Sequence, residues 1–218
     1  MIIFDSNIIL YQRNIMTVSK VQNSPFQKKS SSKKISWAIF EKKYLTREDA
    51  WKYEWVDGII EKTKRNMYPN QRYILINLRK LFRKLLVEGK VSGSFESETD
   101  IFFSDKIHRR PDISYCTEEQ DALMAHEESV IPEFVIEIVS KNDTLPKQNR
   151  KMKNYRDADV KVIWQIFPDT QEVQITTGKA SVLCTLGDVC TAAPVLPDFK
   201  ITVKDIFQKP PKPSTKSV

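Results

Sequence analysis

A chain of 218 residues is long enough to bury a real core, in one domain with appendages. No apolar run approaches the ~18 residues needed to cross a bilayer, so no membrane association is expected. The formal charge of +7 invites a nucleic-acid partner, but residues 1–36 hold six Lys/Arg against one Asp, and residues 208–218 add three lysines, which leaves the middle at −1. The global basicity therefore belongs to the tails.

At the start, Met1-Ile2-Ile3-Phe4 runs straight into Asp5, and Ile8-Ile9-Leu10 is brief. Neither fits a signal peptide with basic flank, apolar core and cleavage site. Cys116, Cys184 and Cys190 are odd in number and widely spaced. They suggest reduced thiols in a cytoplasmic protein, with no zinc pattern. Composition predicts a flexible basic lead-in over residues 1–36, a folded domain over 37–207 and a disordered basic tail over 208–218. The regular pattern begins near Leu45, where Thr46 has the character of a helix N-cap.

Residues 52–56 and 59–62 flank Asp57-Gly58, the turn pair of a type I′ hairpin. From Pro69 to Glu88, Ile74, Leu75, Leu78, Leu81, Phe82, Leu85 and Leu86 recur at helical spacing. Gly93 breaks the chain, and strands are expected at 94–96, 99–103 and 110–115. An acidic linking stretch over 118–128 precedes a strand at 132–140 and a helix at 146–157 with Pro146 in its first turn. Strands at 160–167, 172–176 and 180–183 and a short helix at 203–207 complete the pattern. Basic residues gather in two stretches: Lys62, Lys64, Arg65, Arg72, Arg79, Lys80, Arg83 and Lys84, then Lys147, Arg150, Lys151, Lys153 and Arg156. They are either a nucleic-acid footprint or solvated helix faces.

Chemistry concentrates in Arg110-Pro111-Asp112-Ile113-Ser114-Tyr115 and Pro132-Glu133-Phe134-Val135-Ile136-Glu137-Ile138-Val139-Ser140. Each reads as a strand opening at a proline, where a missing N–H costs the ladder least. Alternation puts Phe134, Ile136 and Ile138 on one face and Val135, Glu137 and Val139 on the other. An unpaired carboxylate in such a strand would cost several kcal/mol or shift its pKa upward. Glu137 therefore calls for a cation, a metal or an open cleft, and Asp112 could supply a second carboxylate to the same place. Two carboxylates on neighbouring strands suit Mg²⁺ or Mn²⁺. Two ordinary structural ion pairs are the alternative.

The order helix, strands, Asp112, Glu137, helix, strand resembles the PD-(D/E)XK nuclease core, except that Val139 stands where the pattern asks for lysine. Tyr53-Glu54-Trp55-Val56-Asp57-Gly58, Arg110-Pro111-Asp112, residues 132–140 and Lys151-Met152-Lys153-Asn154-Tyr155 together resemble the Uma-two family of restriction-endonuclease-like proteins in that superfamily. Val162-Ile163-Trp164, Leu186-Gly187-Asp188-Val189, residues 194–199 and Asp205-Ile206-Phe207 extend the likeness over roughly residues 40–207. The resemblance implies an α/β (α+β) fold, a restriction-endonuclease-like mixed β-sheet flanked by helices. It implies a metal-dependent endonuclease hydrolysing phosphodiester bonds in nucleic acid, above all DNA, with homodimerisation open. Asp112, Glu137 and the Ile138 carbonyl would hold Mg²⁺ or Mn²⁺. Lys151 would be the catalytic lysine moved from strand to helix, on the face it shares with Lys147 and Tyr155. Glu54, Gln71 and Tyr155 are further candidates. Gln71 stands where the family often has histidine, and an amide cannot serve as acid or base near neutral pH. Glu54 reads either as a third acidic member or as a strand residue paired with lysine, and Tyr155 either as a phosphate donor or as packing. Two readings compete with it: a catalytically degenerate nucleic-acid-binding or regulatory module, and a different carboxylate enzyme such as a small-molecule metallohydrolase.

Overall fold

The computed structural model describes residues 33–64 and 69–212; the expectations for residues 1–32, for Arg65 and for residues 213–218 lie outside the described residues. A short helix, α1 (Trp37–Phe40), continues as a π-helical turn (Glu41–Leu45). Its aromatic side chains pack on Tyr53 and Trp55, so the helical segment lies before Thr46 rather than after it. Thr46 closes that segment instead of capping a new one. Asp49 then accepts the Trp51 N–H at 2.8 Å and turns the chain into a strand.

Strands β1 (Trp51–Val56) and β2 (Ile59–Lys64) form the expected hairpin, with Asp57 and Gly58 both at positive φ. Ile35, inside the lead-in read as flexible, donates to the Gly58 carbonyl at 2.9 Å. Helix α2 (Pro69–Val87) buries Tyr73, Ile74, Leu78, Phe82 and Leu85. It ends in a Schellman turn at Gly89, where Lys90 N reaches Leu85 O and Gly89 N reaches Leu86 O.

Next come β3 (Ser94–Glu96), β4 (Ile101–Ser104), β5 (Ile107–Arg109) and β6 (Ile113–Cys116). The stretch read as an acidic link is a helix, α3 (Glu118–Ala125). A capping box starts it: Thr117 Oγ1 accepts from Gln120 N while Gln120 Oε1 accepts from Thr117 N. Strand β7 (Phe134–Ile138), helix α4 (Leu145–Asp157) and strand β8 (Val162–Phe167) form a parallel crossover unit. Strands β9 (Glu172–Thr177) and β10 (Ala180–Cys184) follow as a hairpin. A second hairpin, β11 (Val189–Ala192) and β12 (Leu196–Thr202), leads into α5 (Val203–Ile206).

The strands assemble into a mixed six-stranded sheet in the order β10-β9-β8-β7-β6-β3, beside a four-stranded sheet in the order β2-β1-β5-β4. Helix α2 and the β12–α5 segment pack on the face of the larger sheet that carries Phe134, Ile136, Ile138 and Trp164. Helix α4 covers the opposite face through Met152 and Tyr155 against Val135 and Ile163. Glu137 shares that second face by strand alternation, so α4 is the helix that can reach it.

Both proline-led strands start two residues later than expected, at Ile113 and Phe134. Asp112 therefore sits just ahead of its strand, with a side chain about 20% exposed. The β11–β12 hairpin shows no strand pattern in the sequence because exposed and buried positions do not alternate along β12.

Gly93 adopts φ +76°, and a Cβ there would lie 2.2 Å from the Cys116 carbonyl oxygen. Gly89 also has positive φ, but a Cβ would meet nothing within 4 Å. Gly93→Ala should destabilise by about 3 kcal/mol or more and Gly89→Ala by about 1 kcal/mol. Urea unfolding of the two variants checks this, and equal losses would contradict the packing around Cys116.

Candidate active site

Ile113 pairs with Ile136 and Ser114 with Val135 in the antiparallel β6–β7 ladder. Continuing that register puts Asp112 opposite Glu137, where directly facing residues approach closely. Asp112 Oδ2 accepts the Ile138 N–H at 2.7 Å, which ties the loop before β6 to the end of β7. Asp112 Oδ1 accepts from Lys52 Nζ at 2.8 Å, and the same ammonium donates to the Arg110 carbonyl at 3.1 Å.

Glu137 is 3% exposed. Lys151, from α4, donates to both its carboxylate oxygens at 3.0 Å, and the Tyr155 hydroxyl donates to Oε1. Lys151 Nζ also lies 3.2 Å from Glu54 Oε1. Lys151 is itself 3% exposed, because α4 packs on the face that carries Glu137. Tyr155 is fully buried against Phe103 as well as bonded to Glu137, so it both packs and donates.

Glu54 is 1% exposed and belongs to the same network. Its Oε1 accepts the Arg110 N–H at 3.1 Å and its Oε2 accepts from Arg109 Nη1 at 3.2 Å. Glu54 and Glu61 face one another across β1 and β2, and Arg109 Nη1 bridges them, 2.8 Å from Glu61 Oε2. Asn154 Oδ1 accepts the remaining Arg109 donors at 3.2 and 2.8 Å. Glu54 is thus both an acidic neighbour of the other carboxylates and a partner of lysine. Gln71, half-buried on α2, donates through Nε2 to the Ile138 carbonyl at 3.3 Å.

Lys52, Asp112, Glu137, Ile138, Gln148 and Lys151 line a cleft of about 380 Å³, with Lys64 and Arg79 also on its wall. Lys52, Arg109 and Gln148 were not singled out from sequence. The signal for Lys52 was present, since it lies two residues before Glu54 on one strand and so shares its face. Arg109 and Gln148 carry no comparable signal. Gln148 Oε1 is buried on this wall without a hydrogen-bond partner.

Burial raises the Glu137 pKa; Lys151 opposes it, but the Asp112 and Glu54 charges add to it, and the carboxyl ends above its ordinary value. Burial would also raise Glu54, but Lys151, Arg109 and Lys52 pull it far below the usual carboxylate range. At Asp112 burial is overcome by Lys52 and Lys151, and the pKa is lowered. Burial works against the Lys151 ammonium, yet Glu137 and Glu54 hold its pKa above that of an ordinary lysine.

The donor set offered to a divalent ion is all oxygen: the Asp112 and Glu137 carboxylates, the Ile138 carbonyl and the orphaned Gln148 Oε1. Such hard donors fit Mg²⁺ or Mn²⁺. Among the described residues no cluster of three or more His, Cys, Asp and Glu side chains forms a closed metal cage.

The Uma2 family, described as "Putative restriction endonuclease", matches residues 37–204. The chain belongs to this family. Among solved structures, the Uma2 chain is similar to a crystal structure described as "a putative nuclease belonging to DUF820" from Anabaena variabilis. The TM-score is 0.61 at 16% identity, covering 71% of this chain and 89% of that one. That likeness establishes the restriction-endonuclease-like fold. No curated protein matches. No helix among the described residues is long and apolar enough to cross a membrane.

The pKa directions have opposite consequences for stability. Glu54 and Asp112, depressed when folded, contribute stability that is present above about pH 4 and lost as pH falls through their folded values. Glu137, raised when folded, contributes stability below its unfolded pKa that is lost as pH rises through its folded one. A neutral isostere removes a charge that its surroundings favour strongly at position 54 and less strongly at position 137. Glu54→Gln should therefore cost on the order of 3–5 kcal/mol, the loss typical of breaking a buried pair, and Glu137→Gln clearly less. Thermal denaturation of both variants at pH 7 checks the order, and the reverse order would refute the charge assignment.

Proposed function

We propose that this Uma2 protein is a metal-dependent endonuclease that hydrolyses phosphodiester bonds, with DNA as its substrate. One observation carries the reading: a buried carboxylate, Glu137, faces Asp112 in a cleft and is held by a buried lysine, Lys151, from the neighbouring helix. Asp112, Glu137 and the Ile138 carbonyl would hold Mg²⁺ or Mn²⁺. When bound, such an ion supplies Lewis-acid polarisation of a phosphoryl oxygen and lowers the pKa of a water.

The chain's own residues do the rest. Lys151 remains an ammonium at neutral pH, so it acts as a fixed positive donor toward charge developing on the phosphoryl group, not as a base. Tyr155 and Glu54 hold that ammonium and its carboxylate partner in place. Gln71 and Gln148 present neutral amides to the cleft, suited to orienting water and unsuited to proton transfer. Lys64 and Arg79 on the cleft wall, with half-buried Lys147 on α4, give a polyanion a positive approach. The catalytic domain spans residues 37–207. The basic segments 1–36 and 208–218 add non-specific affinity, and free Cys116, Cys184 and Cys190 suit the reducing cytoplasm.

A second reading has its own support. Two buried carboxylates, Glu54 and Glu137, and the part-buried Asp112 meet three buried cations, Lys52, Arg109 and Lys151. A network already neutral could serve only structure in a nucleic-acid-binding module.

A nuclease assay with Mg²⁺ and Mn²⁺ on a panel of DNA and RNA separates the two. The wild type should cut DNA, and Glu137→Gln and Lys151→Ala should reduce cleavage by at least about a hundredfold. Because Lys151 lies between two buried carboxylates, its alanine variant should also melt earlier, so cleavage is measured well below that melting point. Lys141→Ala, on a side chain 73% exposed, should cut like the wild type. A wild type that binds DNA but never cuts it with either ion would favour the structural network. An active Lys151→Ala beside a dead Lys141→Ala would move the catalytic lysine to the turn after β7.

Removing residues 1–32 and 213–218 should weaken DNA binding at low salt and flatten its salt dependence, because a net four positive charges (Arg13, Lys20, Lys28, Lys29 and Lys216 against Asp5) leave with those segments. Binding titrations across a salt series read this, and an unchanged slope would place the contacts in the cleft instead.

A further inference from the structure

Lys52 reaches the cleft from β1, a strand paired on both sides by β2 and β5, and is 6% exposed. Its ammonium touches two hard oxygens, Asp112 Oδ1 at 2.8 Å and the Arg110 carbonyl at 3.1 Å. The other Asp112 oxygen is taken by the Ile138 N–H. Asp112 Oδ1, the oxygen with no backbone bond, is the one Lys52 occupies.

We propose that the Lys52 ammonium is a resident competitor at this site, which must swing away from Asp112 before a divalent ion binds, so that Lys52 sets the metal affinity. The proposal rests on the reading of Asp112 and Glu137 as ligands of that ion.

Lys52 and Lys151 are not equally displaceable. Lys151 is held by three carboxylate oxygens, two of Glu137 and one of Glu54. Lys52 is held by one carboxylate oxygen and one carbonyl, at the end of a flexible four-carbon stem beside an open cleft. Charge balance points the same way. With all three buried cations in place, an entering divalent ion would leave two uncompensated positive charges in a desolvated site. Moving the Lys52 ammonium toward the cleft mouth relieves half of that excess and brings the ammonium to where a phosphate would lie. Ion and polyanion then favour each other's binding.

The test is calorimetric titration of the full chain with Mn²⁺ alone, without nucleic acid, alongside melting curves with and without the ion. Lys52→Met keeps the bulk and removes the charge. It should bind Mn²⁺ at least about tenfold more tightly than the wild type, by mass action against one fewer competitor. It should also melt earlier than the wild type without the ion and recover more on adding it. Lys52→Arg should stay near wild-type affinity. If Lys52→Met does not fold, Lys52→Gln, which retains an N–H for Asp112, gives the same comparison. Equal or weaker Mn²⁺ binding in the neutral variants overturns the proposal and leaves the carboxylate site standing. No Mn²⁺ binding by any of the proteins overturns this proposal and the metal-site reading together.

Discussion

A carboxylate in the middle of a strand buried on both faces cannot stay ionised without cations, and the arrangement around Glu137 follows from that constraint. Lys151 answers it from α4 and is shared with Glu54 on β1. Glu54 is tied through Arg109 to Glu61 on β2 and to Asn154 back on α4. The chain of contacts joins the six-stranded sheet, the helix over it and the four-stranded sheet. Each member is costly to bury alone and tolerable in company, so the network is cooperative. Its location decides which helix, strand and hairpin must meet.

The network does not treat its carboxylates alike. Glu54 has Lys151, Arg109 and Lys52 around it and is strongly held in the ionised form. Glu137 is also buried, and there burial together with the Asp112 and Glu54 charges outweighs Lys151 and Lys52 and raises the pKa. Glu137 opens on the cleft that Asp112 and Lys52 also line. The same cleft carries Lys64 and Arg79, so the residue-level positive charge that matters lies on the domain, although the domain's net charge is close to zero.

Legibility varied with the physics of each element. The Asp57-Gly58 hairpin, helix α2 and the alternation along β7 could be read because each depends on local chemistry: a turn pair, a period near four, a period of two. Helix α3 was hidden by its acidic, nearly unburied composition, although the Thr117–Gln120 capping box was in plain view. Thr46 misled because a good N-cap residue can equally follow a helix whose aromatic face is already spent on a neighbouring hairpin. The β11–β12 hairpin had no periodic signal to find.

By itself the sequence determined that Asp112 and Glu137 belong to two proline-led extended segments and that a lysine-bearing helix follows Glu137, because periodicity and proline positions are local signals. The nuclease-like family was legible through its motifs in order, from residues 53–58 to Asp205-Ile206-Phe207. Only the tertiary structure decided that Lys151 is buried rather than half-exposed, that Glu54 shares it, and that Lys52 already sits on Asp112. Those facts depend on how β1 meets α4 and β6, a contact between residues 58 to 97 positions apart in the chain. Long-range electrostatic pairing of this kind leaves no period in the sequence, because its energy comes from removing charges from water together and not from any local pattern.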